Sequence, residues 1–84
     1  GAVASRLTAA ADLAAGDLLA AEAGARAALT ATDELGARPE HVRAGLLLSS
    51  VLGLTGRSAE AREVGGRASA EGAAMGLRDV VVAR

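Results

Sequence analysis

The chain has 84 residues, a net charge of −1 at pH 7, no cysteine, and a hydrophobic fraction of 51% without one aromatic residue. That length suits a single core, the interleaved charges leave no basic stripe for nucleic acid, and no stretch approaches the ~20 apolar residues of a membrane span. With no cysteine and one histidine, disulfides and multi-ligand metal centres are excluded as sources of stability.

Residues 3–15 place Val3, Leu7, Ala10 or Ala11, and Ala14 on one helical stripe, and residues 17–35 do the same with Leu18, Ala21, Ala25, Ala28, Leu29 and Leu35 or Thr32. Residues 40–54 carry Val42, Leu46, Leu47, Val51 and Leu54; residues 58–75 carry Ala61, Val64, Ala68 and Met75. Each spacing predicts an amphipathic helix, and no segment alternates with the period of a strand. Asp17 and Ser58 are placed to accept backbone N–H groups at helix starts, although Arg57 takes the slot that matches Asp17. Pro39 suits a first turn, and Gly36 and Gly76 suit helix ends. Val80-Val81-Val82 is too short for an unpaired strand and reads as the opening of a fifth helix.

The core implied by these elements is thin, because 23 of the hydrophobic residues are Ala. Helix propensity and close backbone approach between small residues supply part of the stability. Association with further protein is expected to supply the rest.

The breaks recur. Gly16 and Gly56 stand 40 residues apart, as do Gly36 and Gly76, Arg38 and Arg78, Ala21 and Ala61, and Ala28 and Ala68. Self-identity over the whole offset is close to what the composition produces by chance, so the weight rests on where the matches fall. They fall at the turns and at small positions of the second helix, where a helix-turn-helix repeat needs them.

In this respect the sequence resembles a tetratricopeptide-type helical repeat. Ala21 and Ala28 follow Gly16 by five and twelve residues, and Ala61 and Ala68 follow Gly56 at the same distances. The link Glu34-Leu35-Gly36-Ala37-Arg38-Pro39-Glu40 is similar to the longer connection of the roughly 40-residue variety found in large bacterial, notably actinobacterial, signalling regulators. The resemblance implies an all-α solenoid fragment: unit one over about 2–38, unit two over about 39–78, and the start of a further helix at 79–84. Ser5, Gly45, Asp12, Ala25 and Gly65 stand where the family usually has large residues, which predicts eroded units.

The resemblance further implies a concave groove lined by the first helix of each unit. Arg6 and Ala10 in unit one, and Arg43, Leu46 and Ser50 in unit two, take the groove positions, where the two arginines could hold a partner's carboxylate. Both also read as ordinary solvated arginines. His41 lacks the companion ligands of a metal site, with only Glu40 beside it and Glu34 or Glu63 as distant candidates, and reads as a helix-surface or N-terminal-turn histidine. Ser49 and Ser50 fall mid-helix, where a hydroxyl bonds its own backbone, and not beside a base. Gly65-Gly66 has no strand before it and no Lys after it, so a close helix crossing or a kink is expected there rather than a phosphate loop. A DNA-reading helix carrying Arg57, Arg62 and Arg67 is disfavoured by the interleaved Glu60, Glu63 and Glu71.

These observations lead to a set of expectations. The chain is a non-catalytic scaffold without cofactor or metal, cytoplasmic because no leader segment opens it. It binds another protein, a peptide or neighbouring repeats, with homodimerisation through its C-terminal end as one route, and it binds neither nucleic acid nor membrane. A free-standing four-helix docking domain and a helical small-molecule sensor are the alternatives.

Overall fold

In a computed structural model the chain is described over residues 2–36 and 38–74. These form four helices: α1 (Ala2–Ala14), α2 (Leu18–Leu35), α3 (Arg38–Leu54) and α4 (Ser58–Ala74). The protein is all-α, with boundaries within two residues of those predicted. Met75, Gly76, Arg78 and Val80–Val82 lie outside the described residues.

The turns explain the boundaries. Gly16 and Gly56 each adopt a φ of 85°, the left-handed conformation that a side chain disfavours. At the first turn the Gly16 N–H donates to the Leu13 carbonyl and the Asp17 N–H to the Asp12 carbonyl; at the second, Gly56 donates to Gly53 and Arg57 to Leu52. Both are Schellman caps, and the two sets of bonds are the same set displaced by 40 residues. Asp17 then caps α2, accepting the Ala20 N–H at 3.2 Å. Its counterpart Arg57 has no acceptor to offer, and Ser58 is already the first residue of α4 rather than its cap.

Helices adjacent in sequence pack together: α1 on α2, α2 on α3 and α3 on α4, with lighter contact between α1 and α3. Contact of α4 with α1 or α2 through the backbone is marginal at most. Two helical hairpins therefore lie side by side in an open row; a closed four-helix bundle would bring the first and last helices together.

The core joins Ala9 and Ala25 of the first hairpin to Leu48, Leu52 and Ala61 of the second, with Leu29, Leu47 and Val64 packed against it. Two predicted stripes are corrected. On α1 the buried residue is Ala9, whereas Val3 and Leu7 are about half exposed. On α3, Ala44, Gly45, Leu48 and Leu52 join Val42 and Val51 in the interior, while Leu46 and Leu54 face outward. The physical reason is that α3 is apolar on more than one side, so periodicity does not single out the buried one.

Gly45 and Gly65, two of the positions expected to lack core volume, lie at close helix approaches, as does Gly24. A Cβ at Gly24 would lie 2.9 Å from the Ala9 Cβ, one at Gly45 would lie 2.9 Å from the Ala68 Cβ, and one at Gly65 would lie 2.6 Å from the Ser49 Oγ. These glycines mark where helices cross closely, leaving no room for a larger side chain.

Candidate functional site

Three polar networks tie the hairpins together, and they decide which surfaces remain open. On the α1–α3 side the Arg6 guanidinium donates to Glu40, whose side chain is only 11% exposed. Arg43, one turn along α3, lies 3.8 Å from the same carboxylate. The two arginines expected to hold a partner's carboxylate thus converge on one supplied by the chain itself.

The second network spans α2 and the start of α4. Arg26 donates from Nε to Glu22 at 2.9 Å and from Nη2 to Glu60 at 2.9 Å. Arg57 donates to Glu22 and lies 3.9 Å from Glu60, closing a ring of alternating charge. Hydrogen bonds from Arg57 and then Arg26 hold the Glu22 carboxyl below the usual carboxylate range. Glu60 and then Glu22 push the Arg26 guanidinium further up.

The third network lines a cleft of about 420 Å³ between α2 and α4 over α3. His41 Nδ1 stands 2.7 Å from the Thr32 hydroxyl, which is fully buried and also donates to the Ala28 carbonyl at 2.8 Å. The other ring nitrogen of His41 faces Glu71 at 3.7 Å. Arg38 donates to Glu71 at 2.8 Å and lies 3.5 Å from Asp33. Leu29, Val64 and Ala68 supply the apolar wall, and Arg67 stands at the rim beside Glu63 at 3.4 Å. His41 lies in the first turn of α3, as one of the two expectations had it, and is a largely covered link between helices rather than a helix-surface side chain. Its acidic neighbour is Glu71 rather than Glu34 or Glu63. No group of three metal-binding side chains occurs among the described residues.

The other expected groove residues are spread along the outer side of α3. Leu46 is 45% exposed, and Ser50 is exposed with its hydroxyl donating to the Leu46 carbonyl at 3.2 Å. Leu54 extends the strip at 65% exposure. Ala10 on α1 is partly covered. The structure therefore brings Arg43, Leu46 and Ser50 onto one helix face and withdraws Arg6 into an ion pair. Ser49 departs from expectation: its hydroxyl donates to the Ala61 carbonyl of α4 at 2.7 Å, reaching across the crossing at Gly65.

Sequence reasoning missed Glu40, Glu71, Thr32 and the Glu22 ring. A usable signal was present. The pairs that bridge the hairpins, Arg6–Glu40, Arg26–Glu60 and Glu22–Arg57, are separated by 34, 34 and 35 residues. Opposite charges about 34 residues apart therefore mark the interface between the hairpins.

No family model matches the chain, and neither a curated protein nor a solved structure matches it. None of the described helices is long and apolar enough to cross a membrane.

Proposed function

We propose that the chain is a two-unit slice of a helical-repeat scaffold of tetratricopeptide type, a non-catalytic module that binds a protein or peptide segment within a larger regulator. The observation that carries this reading is the repetition of the same Schellman turn, bond for bond, at Gly16 and Gly56 in an open row of hairpins. Repeat units of this kind bury only part of their apolar surface by themselves and present the remainder to neighbours or partners. The contact surface is the outer side of α3, with Arg43, Leu46, Ser50 and Leu54; Arg6 and Glu40 hold its flank in place and do not contact the partner.

Selection of random peptides on the chain, followed by titration of the selected peptides into isotope-labelled protein, tests this. Shifts are expected at Arg43, Leu46 and Ser50, with Leu46→Glu weakening binding by about tenfold or more, that is about 1.4 kcal/mol. A selection without binders, or shifts confined to other faces, overturns the assignment.

A second reading, a small-molecule sensor, is favoured by one feature, the cleft between α2 and α4. It is open, with Leu29, Val64 and Ala68 on one wall and the His41–Glu71 and Arg38–Asp33 contacts on the other, so its ligand would be small and carry both polar and apolar groups. An unchanged melting temperature and unchanged His41 resonances on screening polar metabolite-sized probes would remove it.

A further inference from the structure

Both helices that flank the cleft bring the same pattern to it, an aliphatic side chain followed within about one turn by a charge. Leu29 precedes Asp33 on α2, and Val64 precedes Arg67 on α4, so the two charges are of opposite sign. Between them the floor is the close crossing of α3 and α4 at Gly45 and Ala68, which offers no polar side chain. The chemistry of a ligand here, which rests on the small-molecule reading above, follows from how far each charge is already committed.

Two acids and two arginines line the cleft besides His41. Arg38 holds Glu71 at 2.8 Å and Asp33 at 3.5 Å, and Glu71 turns its second oxygen to His41 at 3.7 Å. With Thr32 on the other nitrogen of His41, this end is saturated, and Arg38 and Glu71 are only 37% and 30% exposed. Asp33 and Arg67 differ: each is 72% exposed, and among the described residues each has one ionic partner, Arg38 at 3.5 Å and Glu63 at 3.4 Å. Carboxylate and guanidinium groups form several hydrogen bonds at once, so both retain capacity for a ligand. They are also close enough to share one. The single guanidinium of Arg38 reaches Asp33 on α2 and Glu71 on α4 together, and Arg67 stands one helical turn from Glu71.

A ligand with one charge matches this rim poorly. A lone carboxylate beside Arg67 also meets the field of Asp33 and Glu71, and a lone ammonium beside Asp33 that of Arg38 and Arg67. A molecule carrying both charges answers both, and an aliphatic group on it covers Leu29, Val64 and Ala68. A volume of about 420 Å³ belongs to the small end of the range for such sites.

We propose that the cleft binds a free α-amino acid with an aliphatic side chain, its ammonium on Asp33, its carboxylate on Arg67 and its side chain over Leu29, Val64 and Ala68. His41 and Gly45 face the cleft, whereas Arg43, Leu46 and Ser50 lie on the other side of α3, so this ligand and a protein partner do not compete for one surface.

Titration of L-leucine into the isotope-labelled 84-residue chain, beside isoamylamine, isocaproate and glycine, tests the assignment. Saturable shifts at Leu29, Thr30, His41 and Val64 are expected with leucine, at a Kd of about 1 mM or tighter. The three analogues lack the carboxylate, the ammonium and the side chain in turn, and each should bind at least about tenfold more weakly. Asp33→Asn and Arg67→Gln should each weaken leucine binding by about tenfold while the melting temperature stays within about 4 °C of the wild type. Binding of isoamylamine or isocaproate as tight as that of leucine overturns the proposal, and so does leucine binding that neither variant weakens. If leucine leaves the cleft resonances unmoved while another metabolite-sized probe shifts them, the amino-acid assignment alone falls; if no probe shifts them, the small-molecule reading falls with it.

Discussion

At the scale of single residues, the neighbouring glycines Gly65 and Gly66 show how a packing contact overrides helix propensity. Both are helical, and Gly costs roughly 1 kcal/mol relative to Ala in a helix interior. Nothing lies within 4 Å of a Cβ at Gly66, so Gly66→Ala should stabilise the chain by about 0.5–1 kcal/mol. A Cβ at Gly65 would meet the Ser49 Oγ at 2.6 Å and displace the hydroxyl from the Ala61 carbonyl. Overpacking and the lost hydrogen bond together outweigh the propensity gain, so Gly65→Ala should destabilise by about 1–2 kcal/mol. Urea denaturation of the two variants gives the comparison, and equal effects would refute the close crossing. The sequence showed two adjacent glycines in a helix, but which of them faced α3 depended on the roll of α4, which Ala61 and Ala68 constrain only to a broad face.

At the scale of helices, the ring of Glu22, Arg26, Glu60 and Arg57 links α2 to the start of α4, where backbone contact between these helices is marginal. Exposed pairs contribute little singly, and a closed network with Glu22 as the shared acceptor contributes more. The Glu22 carboxyl is more acidic in the folded chain than its ordinary value of 4.5, chiefly through Arg57 and then Arg26. The folded state therefore holds fewer protons than the unfolded one. The contribution is whole above the ordinary value and is lost as pH falls through the folded value. Glu22→Gln should melt lower than the wild type at neutral pH, and the two melting curves should converge as pH drops below 4.5. Curves that stay parallel across that range would show that the ring contributes nothing to folding. The charges were visible in the sequence, but the pairing that joins the helices was not, because the helical spacing of three or four residues finds Glu22–Arg26 and Arg57–Glu60 but not Arg26–Glu60 or Glu22–Arg57. Partners about 34 residues away require the stacking offset to be known first.

At the scale of the whole molecule, helix number and order were legible because Gly16, Gly36 and Gly56 end their helices through a backbone conformation that belongs to glycine. The inward side of each helix was less legible. Leu46-Leu47-Leu48 wraps much of the α3 circumference, and only the position of α1 and α4 decides that Leu48 is enclosed while Leu46 is not. Arg6, expected from the repeat resemblance to face a partner, is instead occupied by Glu40, a pairing that needs the position of α3 to be seen. The enclosed core is correspondingly small: its largest fully buried side chains are Leu48, Leu52, Val51 and Thr32. A core in a domain of about this size rarely supplies more than about 3–5 kcal/mol, and removing a buried leucine side chain costs about 2–5 kcal/mol. Leu52→Ala should therefore leave much of the chain unfolded at room temperature. Leu19→Ala, at a position 81% exposed, should change stability by no more than about 0.5 kcal/mol. Circular dichroism at 25 °C and a thermal melt of each variant give the comparison. If Leu52→Ala melts as cooperatively and as high as the wild type, the joint between hairpins is held by its ion networks rather than by Leu48 and Leu52, and the two units are separate folding bodies.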